Sequence, residues 1–128
     1  MEYEDSIYPV SVWIGVADED FREYVNQDEY GVRCGFCQDI GQLYDIDFTS
    51  IYMAGEILPV EKLIEEVSFS EYFESELIEQ CHSLGITEGN ACISIMRETF
   101  SFSHDKNFSG LHFIGVFEFS MAEYRKLL

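Results

Sequence analysis

The sequence predicts an α+β fold: an antiparallel sheet with helices packed on one side and a C-terminal β-hairpin. Three observations carry that expectation. β-rich runs stand towards the two ends of the chain, at residues 9–15 and again at 91–102 and 111–119. Helical apolar spacings fill the middle, at 19–27 and 59–83. The order strand, helices, hairpin segregates the two kinds of element instead of alternating them. With 128 residues, 47% of them apolar and 16% aromatic, the chain reads as a single domain over 1–128. That is long enough to bury a core and too apolar for a disordered acidic tail.

In the first run Val10, Val12 and Ile14 face one way, and Ser11, Trp13 and Gly15 the other. A tryptophan on the second face means both faces are covered, which predicts an interior strand. A helix follows over 19–27, with Asp18 as N-cap and with Glu19 and Asp20 where the helix dipole favours anions. Phe21, Tyr24 and Val25 form the stripe that docks it. Residues 28–49, rich in Gly and Asp, read as irregular with a short helix at 36–40, and 50–54 as a short strand.

Pro59 at a first helical position predicts a second helix to Val67. Ser68 and Glu71 then fit a capping box that opens a third helix to Ser83. On that helix Phe73, Leu77, Cys81 and Leu84 fall within one arc of ~80°, since successive residues turn by ~100°. Glu71, Glu74, Glu76 and Glu79 lie outside it, and Gly85 suits the stop. Residues 91–102 and 111–119 read as hairpin strands joined by the polar loop 103–110, with 121–128 as a short closing helix.

Charge is distributed unevenly. Residues 1–88 hold 21 carboxylates against Arg22, Arg33 and Lys62, and so account for the whole net charge of −18. Residues 89–128 are neutral. Such a field repels nucleic-acid phosphates, which excludes direct DNA or RNA binding as the default, and it attracts basic partners. Tyr3, Tyr8, Tyr24, Tyr30, Tyr44, Tyr52 and Tyr72 are interleaved with the acids. Tyrosines among carboxylates make interface anchors, while the charge speeds encounter. The acidic helices and the irregular segment are expected to form one flank, and the neutral hairpin the sheet. The N-terminus has acids where a secretory signal needs positive charge, and no apolar run reaches the ~20 residues of a membrane span. A cytoplasmic protein with reduced thiols is the natural expectation.

Signals for catalysis or metal binding are incomplete. Cys34-Gly35-Phe36-Cys37 is a C-x-x-C, but no second pair with metal spacing accompanies it, and Cys81-His82 are adjacent. Ser103-His104-Asp105 are sequence neighbours, whereas a catalytic triad is assembled in space. Asp45-Ile46-Asp47 lacks the Gly and the terminal Glu of an EF-hand loop. No cofactor and no metal is expected.

Several motifs carry a family resemblance. Val10-Ser11-Val12-Trp13-Ile14-Gly15 resembles the opening of the immunity protein 22 family of bacterial polymorphic-toxin immunity proteins. The acidic helix, Phe36-Cys37-Gln38-Asp39-Ile40-Gly41 and Tyr44-Asp45-Ile46-Asp47-Phe48 follow in that family's order. Ser68-Phe69-Ser70-Glu71-Tyr72-Phe73 and Phe113-Ile114-Gly115-Val116-Phe117 complete the likeness, over about residues 9–119. It implies an α+β domain, with a core tryptophan matched by Trp13, that binds and neutralises a toxin encoded next door. Cys34 and Cys37 stand outside the pattern.

The resulting expectation is a non-enzymatic inhibitor that occludes a toxin's active cleft with carboxylates. A basic nuclease best explains the charge, since its cleft attracts anions. The residues expected to make contact are Asp39, Tyr44, Asp45, Asp47, Glu71, Tyr72 and Glu74. The partner is a cognate protein toxin, with no direct nucleic acid and no membrane. The alternative is a small-molecule-binding or enzymatic α+β domain with a pocket at His112 or Cys92.

Overall fold

β1 (Ile7–Gly15) occupies the interior of a four-stranded sheet, as its two apolar faces require. The computed structural model describes residues 7–120. The expected closing helix at 121–128 lies outside the described residues. Along the chain come α1 (Phe21–Tyr24), α2 (Gln27–Tyr30), a 3-10 turn, and α3 (Gly35–Ile40). Then follow β2 (Thr49–Pro59), α4 (Val60–Leu63), two further 3-10 turns, α5 (Glu74–Ser83), β3 (Glu88–Met96) and β4 (Leu111–Ser120). The strand order is β2-β3-β1-β4, and every neighbouring pair is antiparallel.

The α+β class and the antiparallel sheet are as expected. Strand pairing is not. The last two strands form no hairpin, because β1 lies between them: Trp13 pairs with Ile93 of β3 on one side and with Phe113 of β4 on the other. A strand buried on both faces needs hydrogen-bonded neighbours at both edges, and β1 takes them from the C-terminal third. Residues 97–110 therefore cross over β1. Arg97, with φ of 75°, ends β3 short of the predicted residue 102. Phe100 and Phe102 leave the sheet to pack on Trp13. Phe108, in a loop that reads as polar, is wholly buried.

Helices cover both faces of the sheet, not the one predicted. On the first face Val10, Val12, Ile14, Cys92 and Ile114 meet Val60, Leu63, Leu77 and Cys81 from α4 and α5. On the second, Trp13, Ile93, Ile95 and Phe113 meet Phe21 of α1, Phe36 of α3 and Phe108. Trp13 is the reason: so large a ring on the second face needs its own cover, and short helical turns supply it.

Local chemistry explains the other differences. The single predicted helix at 19–27 breaks in two because the Asn26 side chain accepts the Glu29 N–H at 3.0 Å and caps α2. Asp20, in place of Asp18, stands at the start of α1. β2 is longer than predicted and runs to Pro59, which precedes the first turn of α4 instead of occupying it. The Ser68/Glu71 capping box does not form. Phe69 takes a left-handed conformation, φ of 63°, and stacks on Phe119 at 4.2 Å, so α5 begins only at Glu74. Gly85 does stop that helix. At φ of 78° its N–H reaches the His82 carbonyl, and the Ile86 N–H reaches Cys81, the paired bonds of a Schellman motif.

Candidate functional site

Cysteine and histidine chemistry can be followed atom by atom. Cys34 caps α3: its sulfur accepts the Cys37 N–H at 3.4 Å and donates to the Tyr24 carbonyl at 3.2 Å. The Cys37 thiol donates to Gln27 Oε1 at 3.1 Å. Burial pushes the Cys37 thiol up to about 11, and Cys81 and Cys92 up to about 12. A thiol held protonated is a poor nucleophile and a poor metal ligand. Among the described residues no three His, Cys, Asp or Glu side chains gather to hold a metal ion.

His104 Nδ1 lies 2.9 Å from the Phe113 carbonyl, and His112 Nδ1 lies 3.1 Å from the His104 carbonyl. Ser103 Oγ accepts the Asp105 N–H at 3.2 Å, which makes Ser103-His104-Asp105 a turn and not a triad. His112 does line a recess of about 300 Å³ with Leu84, Ile86, His104 and Asp105, whereas Cys92 is buried beneath the first face.

The seven expected contact residues fall into two sets, anchored on opposite faces of the sheet. Tyr44 belongs to the second-face core and Tyr72 packs against the first. Asp39 is half-buried and accepts the Tyr24 hydroxyl at 2.5 Å, tying α3 to α1. Burial, the bond to Asp39 and that carboxylate's charge raise the Tyr24 phenol far above its ordinary range. Tyr44 is 8% exposed, and its hydroxyl donates to the Val25 carbonyl at 2.6 Å. Gln27 clamps its backbone twice, at 2.9 and 3.0 Å, and burial raises its phenol as well.

Asp45 and Asp47 are exposed. Asp45 Oδ1 accepts the Asp47 N–H at 2.9 Å, and its carbonyl accepts the Thr49 hydroxyl at 2.7 Å. This Asx turn delivers the chain into β2 with both carboxylates facing water. Glu71 and Glu74 are exposed too, while Tyr72 is half-buried and stacked on Phe119 at 5.9 Å.

An open groove of about 450 Å³ runs beside Asp45, walled by Leu43, Phe48 and Met96. Glu98 lines it and accepts Gln42 Nε2 at 2.8 Å. Arg97 lines it also, its guanidinium 4.6 Å from the Phe48 ring and 4.9 Å from Tyr8. Two carboxylates and an apolar wall suit a side chain with an aliphatic stem and a cationic tip. Glu98 and Arg97 escaped the sequence reading because they belong to the neutral segment; only the sheet brings them beside Asp45.

The acidic helices do not form the single flank expected of them. Exposed carboxylates of α1 and α2 (Glu23, Asp28, Glu29) stand over the second face, and those of α4 and α5 (Glu61, Glu74, Glu76, Glu79) over the first. Helices on both sides of a sheet carry their charge to both sides. The net field still attracts a basic molecule, but grooves and edges must orient it.

Fold and surface together define a small acidic α+β domain with open grooves. Among the described residues no helix is long and apolar enough to cross a membrane. The chain belongs to the immunity protein 22 family, whose model matches residues 10–120. That membership supports an immunity function with a toxin as the partner. No curated protein and no solved structure matches the chain.

Proposed function

We propose that this protein binds and neutralises a cognate bacterial toxin without catalysis, by covering the toxin's active cleft. The family match over residues 10–120 is the observation that carries the reading. The charge of −18 supports a basic target, and a nuclease is the class whose cleft is built to attract anions. Exposed Asp45, Asp47, Glu71 and Glu74 are available to that cleft. Asp39 and Tyr44 hold the loop that presents Asp45 and Asp47 on the side of the second face, and Tyr72 holds the turn that presents Glu71 and Glu74 on the side of the first. The groove beside Asp45 takes a Lys or Arg of the toxin between Asp45 and Glu98.

Co-expression tests this directly. The protein encoded beside this chain is expected to be toxic alone and harmless when the chain is co-expressed, and the two should co-purify. Reversing charge with Asp45→Lys and Asp47→Lys together is expected to slow association about tenfold at low salt, with a smaller effect at high salt. Toxicity that persists beside an excess of folded chain would overturn the reading.

A further inference from the structure

The two edges of the sheet are finished differently. On β4 the Ile114 carbonyl accepts Gln80 Nε2 at 3.2 Å, and the Phe113 carbonyl is met by His104 Nδ1 at 2.9 Å. These side chains blunt an edge that would otherwise template another strand. On β2, among the described residues, nothing but β3 hydrogen-bonds the strand's backbone. We infer that an extended segment of the toxin adds to this free edge at residues 49–53, making a fifth strand. The inference rests on the immunity reading and names the surface and the form of the partner.

Three features define the segment. Its length comes first. Pairing of β2 with β3 runs from Thr49 to Met53 and resumes only at Leu58, so the regular edge is five residues long, ~17 Å at the rise of a strand. Its side chains come next. Ile51, 37% exposed, and Met53 stand at alternate positions and, with Phe21 and Val25, line a recess of about 280 Å³ beside the edge. Arg22 lines the same recess and, among the described residues, no carboxylate does, unlike the groove beside Asp45, so the entering side chain is apolar and not basic. The third feature is the charge at its ends. Exposed Asp45 and Asp47 precede the edge and exposed Glu56 follows it, which favours Lys or Arg on either side of the apolar residue.

A second copy of this chain fits poorly. Antiparallel pairing about Ile51 would set Glu56 of each copy opposite Ile46 of the other, between Asp45 and Asp47, and each copy carries −18. A partner strand also reaches the groove at Phe48 and Asp45 from the start of β2, so one extended segment engages both recesses. This is strand addition, with main-chain bonds supplying affinity and alternate side chains supplying specificity.

Amide hydrogen exchange on the free chain and on its complex with the neighbouring gene's product decides the matter. The outward-facing amides within 49–53 should gain protection of about tenfold or more in the complex. Ile51→Asp should weaken binding about tenfold or more, whereas Ile57→Asp, exposed but inside the bulge, should bind as the parent does. A complex in which these amides exchange as before, or in which Ile51→Asp binds unchanged, overturns the edge proposal and leaves the immunity reading standing. Absence of any complex overturns both. Protection in the free chain that grows with its own concentration gives the edge to a second copy and also overturns it. Exchange on the parent chain decides even if Ile51→Asp does not fold.

Discussion

The two faces of this sheet are covered by different means. Over the first lies α5, ten residues long and closed by the Gly85 turn, pressing Leu77 and Cys81 onto Val12, Ile14 and Cys92. Over the second lie helices of four, four and six residues and a crossing loop. There rings do the filling. Trp13 meets Phe36 and Phe113 edge-on at 5.2 and 5.1 Å, with Phe100 and Phe108 at 5.6 and 6.0 Å. Specific bonds pin what the short helices cannot: Gln27 to Tyr44, Tyr24 to Asp39, and Cys34 to the start of α3. The ten-residue α5 packs chiefly by its stripe, with one bond from Gln80 to the Ile114 carbonyl, whereas the shorter helices lean on more rings and more hydrogen bonds.

That contrast can be broken most severely at its hub. Trp13→Ala is expected to cost ~3–5 kcal/mol, because it empties the centre of the ring cluster. Trp13→Phe should cost less. Among the described residues the Trp13 Nε1–H is buried without a hydrogen-bond acceptor, and phenylalanine removes that unpaired donor. Urea unfolding of the two variants checks the order. On the first face Leu77→Ala should cost ~3 kcal/mol, and hydrogen exchange should show the loss centred on α5.

Alkaline titration separates the faces next. Unfolded thiols release their protons from about pH 9, while Cys81 and Cys92 hold theirs to about 12 and Cys37 to about 11. Stability that is fully present below pH 9 is therefore lost as the pH climbs through that window, by about 1.4 kcal/mol per unit for each thiol. Cys81→Ala and Cys92→Ala should flatten the alkaline limb of a urea midpoint profile more than Cys37→Ala. The smallest expected effect is Tyr44→Phe, ~1 kcal/mol for the lost bond to the Val25 carbonyl. A stability unchanged in that variant would mean the second face does not need its hydrogen bonds.

What the sequence discloses follows from the range of each signal. The alternation around Trp13 named an interior strand, and Gly85 named a helix end, because both depend on adjacent residues. Partnership between strands is not local. Residues 91–102 and 111–119 carry every mark of a hairpin, and nothing in them reports that β1 slips between. Ser68 and Glu71 had the letters of a capping box, yet the stacking of Phe69 on Phe119, fifty residues away, decided the turn. Tyr44 read as an anchor among acids, since a tyrosine's ring and hydroxyl suit a surface and a core equally well. Asp45 and Asp47 are expected at the surface as contact residues, and the structure exposes both, on a turn within a stretch that reads as irregular chain. Glu98, Arg97 and the free edge of β2 were beyond reach, since each exists only once the strand order does.

The central position of β1 also sets a timetable. β1 acquires both of its hydrogen-bonded neighbours only after residues 88–120 have been made. Until then Val10, Val12, Trp13 and Ile14 have no sheet to enter, and the nascent chain carries an apolar ribbon open on both margins. Closing contacts so remote in sequence is slow, and such a ribbon is prone to pair with the wrong strand meanwhile. Chains that stall before β3 are expected to aggregate faster than finished ones.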